Sequence, residues 1–157
     1  MSVSQTAEYA LRAVVWLAHK PGECQTTTQL ADGTLVSPSY LPKVLQPLGR
    51  AGILSSQRGI RGGYALSRDP EELTVLEVVN CVDPIHRIER CLMRLTAHAG
   101  RLCPLHRLLD ESIASTEKLF RATTIGGLLR KEPSVKPVCA TSVATIPLAV
   151  SSSESTA

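Results

Sequence analysis

The helix stops and starts between residues 26 and 66 leave few folds open to this chain. Thr26 and Gln29 have capping-box spacing ahead of Leu30 and Ala31, and Asp32-Gly33 stops the short helix they begin. Four positions later, Ser37-Pro38 reads as a new start, with serine at the cap and proline in the first turn. Leu41, Val44, Leu45 and Leu48 then recur at helical spacing until Gly49 to Gly52 closes the run. The segment SQRGIRGGYAL (residues 56–66) follows at once, glycine-rich and lying between Ile53-Leu54 and Tyr64-Ala65-Leu66. Gly59, Gly62 and Gly63 are expected to take the positive-φ positions of a β-hairpin whose tip carries Arg58 and Arg61. Upstream, Ser2 and Gln5 are spaced as a capping box, and Ala7, Leu11, Val14, Leu17 and Ala18 trace one apolar face as far as Pro21-Gly22. Helix, short helix, turn, helix, hairpin is the order of a winged helix-turn-helix.

That order gives the hairpin arginines a purpose beyond solubility. A recognition helix followed by an arginine-tipped wing suits duplex DNA, with the helix in the major groove and the wing on the backbone or in the adjacent minor groove. Guanidinium is weakly hydrated and enters a narrow, electronegative groove at low desolvation cost. Pro42 and Pro47 run against a regular third helix, because an interior proline costs about 3 kcal/mol and one hydrogen bond.

With 157 residues, 43% of them hydrophobic, the chain can bury one modest core. One Trp, one Phe and three Tyr make that core aliphatic, and the expected class is mainly α with a small β-hairpin. A net charge of +3 and a pI near 8.7 are compatible with a nucleic-acid partner. No apolar run reaches 18 residues and the start lacks a basic n-region, so a cytoplasmic protein with no membrane partner is expected, its thiols kept reduced. The sequence has no phosphate loop, no nucleophile elbow and no acid pair in a cleft-like context, which argues against an enzyme.

Beyond the hairpin, Thr74 and Glu77 form another capping box ahead of Leu76, Val79 and Val82, and Asp83-Pro84 ends that helix. Leu105, Leu108, Leu109, Ile113 and Leu119 fall at near-heptad spacing around RLLDESIASTEKLF. Packing against helix one of a second subunit would cover this face. The two-fold of such a homodimer matches palindromic double-stranded DNA with half-sites about 34 Å apart. Thr124 to Leu129 fits a final helical turn. The expected division is a winged helix-turn-helix domain over 1–83, a Cys/His cofactor loop over 84–106, a dimerisation helix with the final turn over 107–131, and a disordered tail over 132–157.

The stretch CLMRLTAHAGRLCPLH spaces Cys91, His98, Cys103 and His106 as C-x6-H-x4-C-x2-H. Thiolate and imidazole on one short loop can close around a soft or borderline metal; two ordinary cysteines and two surface histidines are the alternative. Cys81 lies on an apolar helix face and reads as a core thiol. Cys24 is in an exposed loop, Cys139 is in the tail, and His19 complements a helix carboxyl end. His86 stands among Arg87, Arg90 and Arg94, which form either a solvated face or a second phosphate contact.

SPSYLPKVLQPLGRAGIL, RGIRGGYALSRDPEELTVLEVV and the Cys/His stretch, taken in this order, resemble the IscR/NsrR-type (Rrf2) family of bacterial winged-helix regulators from Met1 to about Leu129. The resemblance implies a homodimeric transcription factor, a repressor, on palindromic promoter DNA. Ser37, Ser39, Tyr40, Lys43, Arg58 and Arg61 would meet bases or phosphates. Pro42 stands where some relatives carry a base-discriminating glutamate. The resemblance also implies sensing of iron, redox state or nitric oxide through an iron–sulfur cluster. Cys91 and Cys103 match the outer two of three family cysteines, Ala97 holds the middle position, and His106 matches a histidine ligand. Glu8, near the start of helix one, matches a carboxylate that reaches the cluster across the dimer. The implied sets are therefore Cys91, Cys103 and His106 with either His98 or Glu8. Two thiolates with nitrogen favour a 2Fe–2S cluster; the alternative is zinc, a metal-free thiol sensor, or a cofactor-free winged-helix module that serves protein contacts.

Overall fold

Small side chains on the first helix set how closely the other elements approach it. The computed structural model describes residues 3–59, 62–91 and 101–131. In it α1 (Gln5–Ala18) buries Ala7, Ala10, Ala13, Val14 and Leu17 completely. Packed on that face are α2 (Thr27–Thr34), α3 (Leu41–Arg50), α4 (Val75–Val82), α6 (Ile125–Lys131) and the second strand of the hairpin formed by β1 (Leu54–Gln57) and β2 (Gly63–Leu66). Leu30, Leu41, Leu45, Leu48, Leu73, Val78 and Ile125 complete an aliphatic core. The class is mainly α with a two-stranded antiparallel hairpin, as the sequence indicates.

Two capping boxes stand where the spacing puts them: Thr26 with Gln29 opens α2, and Thr74 with Glu77 opens α4. The Thr74 amide and hydroxyl, followed by Arg68, hold the Glu77 carboxyl below its ordinary pKa. The first cap differs from the sequence reading. Ser4, not Ser2, caps α1, its Oγ accepting from the Ala7 amide at 3.2 Å; Ser2 lies outside the described residues.

The third helix starts later than Ser37-Pro38. The Ser37 carbonyl accepts from the Tyr40 and Leu41 amides at 2.9 and 3.1 Å, closing a separate turn before α3 begins at Leu41. Pro42 thus falls in the first helical turn, where an amide has no intrahelical partner to lose. Pro47 alone is interior to α3, and buried Leu41, Val44, Leu45 and Leu48 hold the helix around it. Between α2 and α3, Leu35 takes a left-handed conformation, φ +56°, with its side chain largely exposed.

In the hairpin Leu54 pairs with Leu66 and Gln57 with Gly63. Of the three glycines expected at positive φ, only Gly59 takes it, at +111°; Gly62 and Gly63 are needed for space instead. A Cβ on Gly63 would come 2.4 Å from the Gln25 carbonyl oxygen. That closeness lets Gln25 and Tyr64 exchange two backbone hydrogen bonds of 2.8 Å, which fastens the wing to the entry of α2.

α5 (Pro104–Ala122) is the longest helix described and starts before the position 107 expected of it, with Cys103 as its N-cap. Ile113 is its one buried side chain, while Leu105, Leu108, Leu109 and Leu119 stay exposed. After α5 the chain returns to the core: the Val75 amide donates to the Thr123 carbonyl at 2.9 Å and the Ile125 amide to the Leu73 carbonyl at 2.8 Å. Cys81, expected as a core thiol, is only half-buried at the core's edge, and burial pushes its pKa up. The tail from residue 132, with Cys139, lies outside the described residues.

The α1–α2 contact is tight at one point, where a Cβ on Gly33 would meet the Trp16 ring at 2.3 Å. Gly33→Ala should therefore destabilise the protein by about 2 kcal/mol. Gly49→Ala, at a helical site with nothing nearer than 4.0 Å, should be neutral or stabilising by up to about 1 kcal/mol. Denaturant unfolding of the two variants checks this, and equal effects would contradict the close packing.

Candidate nucleic-acid interface and metal centre

From Gly33 to Arg68 the chain carries Lys43, Arg50, Arg58, Arg61 and Arg68 and neither Asp nor Glu. Five positive charges here exceed the whole chain's +3, so the remainder is net negative. The sequence reading relied on individual arginines and missed this segregation, though counting acids along the chain reveals it. α3 packs beside β1, so Lys43 and Arg50 are carried on an element that adjoins the strand leading to Arg58. Among the described residues, no ion pair engages Lys43, Arg50 or Arg58.

Ser37 and Ser39 are exposed on the turn before α3, their hydroxyls 2.7 Å apart. Lys43 is exposed one turn into the helix, its ammonium over the Tyr40 ring at 4.9 Å. Tyr40 itself is turned inward: its hydroxyl is 2.7 Å from that of Thr6 and its ring meets Tyr9 edge-on at 5.3 Å. The Thr6 hydroxyl first, then Lys43, draws the Tyr40 phenol below its ordinary pKa. Tyr40 thus ties the start of α3 to the start of α1 and seats Lys43. Arg58 is exposed where β1 runs into the wing, beside Ser56 and Gln57. Arg61 lies outside the described residues. α3, the preceding turn and the wing together offer basic and hydroxyl side chains suited to contact with a polyanion.

The second site sits at the amino end of α5. Cys91, Cys103 and His106 place their ligand atoms within 4.8 Å of one another, with His106 Nδ1 3.1 Å from Cys103 Sγ and 3.5 Å from Cys91 Sγ. Cys103 is buried as the N-cap, and His106 projects from the first turn three residues on. The His106 amide lies toward the Cys103 sulfur in a contact looser than a capping hydrogen bond. Together with the His106 ring and then Cys91, it lowers the thiol to about 7. A near-neutral thiol, a second thiol and an imidazole are donors that fit a thiolate- and nitrogen-bound metal, with coordination positions left for further ligands.

The other expected ligands are not part of this trio. His98 lies outside the described residues, as do Ala97 and Arg94. Glu8 is exposed on α1 and pairs with Arg12 at 2.5 Å. Arg12 also reaches the Thr34 carbonyl and stacks over Tyr9. Arg87, expected on a solvated face or a phosphate, instead bonds Asp110 of α5, a partner the sequence reading missed. His19 is exposed at the carboxyl end of α1, and His86 is exposed before Arg87. No described helix is long and apolar enough to cross a membrane.

A family model described as "Rrf2: Iron-dependent Transcriptional regulator" matches residues 3–131. The chain is 27% identical over 138 residues to the HTH-type transcriptional regulator NsrR of Bacillus subtilis, spanning 86% of this chain and 94% of that one. CymR, the global cysteine regulator of B. subtilis, superposes with a TM-score of 0.67 at 25% identity, over 82% of this chain and 95% of that structure. IscR of T. potens shares the fold with a TM-score of 0.67 at 21% identity, over 86% and 92% of the two chains. These relatives are regulators rather than enzymes.

The His106 contact has a measurable consequence. In reduced, metal-free protein, ultraviolet thiolate absorbance should show a step near pH 7 from Cys103. Below that pH the thiol is protonated; above it the thiolate persists. His106→Ala keeps the amide and removes the ring, so it should move this midpoint upward only part of the way toward ordinary thiols. An unmoved midpoint would contradict the share assigned to the ring.

Proposed function

The chain belongs to the Rrf2 family of transcriptional regulators, and on that premise we propose that it works as a cytoplasmic homodimer on palindromic operator DNA, reading it with α3 and the wing. The observation that carries this reading is the acid-free stretch from Gly33 to Arg68, whose exposed Ser37, Ser39, Lys43 and Arg58 cluster on adjoining elements. In the complex, Lys43, Arg58 and Arg61 neutralise phosphates or enter the minor groove. Ser37 and Ser39 hydroxyls reach base edges or phosphates, and Tyr40 holds the start of α3 in place.

The exposed leucines of α5 support the dimer. Leu105, Leu108, Leu109 and Leu119 are between 46% and 65% exposed, and a second copy that covers them removes these apolar side chains from water. A two-fold dimer presents two reading heads, which is why a palindrome is the matching target. An operator so occupied excludes other proteins from the same grooves, which makes repression the direct outcome within a promoter.

Cys91, Cys103 and His106 would hold a 2Fe–2S cluster, with His98 or a partner's Glu8 supplying a further ligand. A cluster in this position supplies one-electron chemistry and reactivity toward nitric oxide, and its nitrogen ligation raises the reduction potential relative to four thiolates. Cys103 supplies a thiolate at neutral pH, and His106 supplies the imidazole from a rigid helical turn. The same three donors suit zinc, and metal analysis separates the two readings. Two of the three ligands stand at the start of the helix that bears the exposed leucines, so a change at the site acts on the placement of the two subunits, and through it on half-site spacing.

Two measurements test the reading. On a palindromic duplex selected from a random pool, two chains should bind per duplex and affinity should fall steeply with salt. Arg58→Ala should reduce the slope of log affinity against log salt by about 2, one contact per protomer. An unchanged slope would count against the wing. Protein purified without oxygen should carry iron and sulfide in equal amounts, and Cys91→Ala and Cys103→Ala should each lose them. Zinc in their place selects the alternative, and full metal retention in either variant rejects the ligand assignment.

A further inference from the structure

We propose that Asp110 is the positioning residue of the Cys91–Cys103–His106 site, holding the segment that bears Cys91 against the helix that bears the other two ligands. The inference rests on reading those three side chains as one site. Cys103, His106 and Asp110 stand at i, i+3 and i+7 along the start of α5 and share one face of it. Cys91 comes from a different part of the chain. Residues 83–91 form neither helix nor strand, so among the described residues no regular secondary structure brings that sulfur to α5.

The Asp110 carboxylate provides the fastening. Oδ1 accepts from Arg87 Nε at 2.7 Å and from the Ile88 backbone amide at 2.9 Å, while Oδ2 accepts from Arg87 Nη2 at 2.6 Å. Arg87 is about half exposed, but the Asp110 side chain is only 14% exposed, so the pair lies partly out of solvent in a two-pronged geometry. Arg87, and after it the Ile88 amide, holds the Asp110 carboxyl at about 2, so the charge persists at any pH where the site would work. The other end of the segment is pegged by the Ile85 amide, which donates to Asn80 Oδ1 at 3.0 Å. Cys91 is three positions beyond Ile88, a reach of at most about 11 Å at full extension. With residue 88 fixed to α5, Cys91 is confined to a small volume around His106. Freed from it, the sulfur samples a much larger one and its effective concentration at the site falls.

The test uses reduced, metal-free, full-length protein and two probes. The first is diamide, which takes the two thiol hydrogens, joins Cys91 and Cys103 as a disulfide and is itself reduced to the hydrazine; peptide mass mapping identifies the bond. The second is Co2+, followed by its thiolate charge-transfer absorbance. Asp110→Ala should slow Cys91–Cys103 closure and weaken Co2+ binding by about tenfold. Arg87→Ala, which leaves the Ile88 contact, should have a smaller effect in the same direction. Arg121→Ala, which breaks the exposed Arg121–Glu117 pair of the same helix, should have none. All variants are compared at a temperature where circular dichroism shows them folded. There, a merely structural role would leave both readouts at wild-type values, and wild-type closure in Asp110→Ala and Arg87→Ala overturns the proposal. If the unsubstituted protein fails to bind Co2+, the metal reading fails, and the diamide rates still decide the role of Asp110.

Discussion

The contact of α1 with nearly everything else is the constraint on which the structure depends. Alanines at 7, 10 and 13 keep that face flat, so α2, α3, α4 and α6 approach it closely and Leu17 and Val14 fill the gaps. A core with so few aromatics gains its stability from fit rather than from bulk. Its largest ring, Trp16, lies against α2 at Gly33, where a Cβ would clash with it. The reading head inherits its orientation from this packing. α3 buries four side chains in the core, and its first turn is tied back to α1 through Tyr40, Thr6 and Tyr9. The surface offered to DNA is thereby held by the least deformable part of the molecule.

Charge and thiol chemistry occupy different parts of the chain. The acid-free stretch supplies the basic surface, whereas every acid falls outside it, several of them in pairs with arginine: Glu8 with Arg12, Asp110 with Arg87, Glu117 with Arg121 and Glu71 with Arg130. Most of these pairs are exposed and add little to stability. The Asp110 pair differs because its carboxylate is shielded and also accepts a backbone amide. The helix that carries two of the three sulfur and nitrogen donors also carries the uncovered leucines. One rigid rod therefore joins the proposed cofactor position to the proposed dimer seam.

Local chemistry was legible in the sequence wherever neighbours in the chain decide the outcome. The capping boxes at Thr26 and Thr74, the stripe from Leu41 to Leu48, the wing and the approach of Cys103 to His106 all follow from short-range spacing. Misjudgements arose where a distant partner intervenes. Ser37-Pro38 has every local mark of a helix start, yet the turn closed on the Ser37 carbonyl delays α3 to Leu41 and makes Pro42 harmless. Gly63 reads as a turn glycine, but its reason is the Gln25 backbone 38 positions upstream, which needs the space of a missing Cβ. Arg87 reads as a surface cation because Asp110 is 23 residues away along the chain and two turns into another element. Leu35 gives no local hint of its left-handed backbone.

The central claim is that α3 with its preceding turn, together with the wing, is the surface that meets DNA. Hydrogen–deuterium exchange of the full-length protein, with and without a saturating selected duplex, tests it most directly. The account predicts slowed exchange at backbone amides within residues 37–43 and 55–63, with the outer face of α5 around Leu108 and Leu119 unchanged by the duplex. Protection that instead spares the wing and the start of α3, or that appears chiefly along α5, would contradict it.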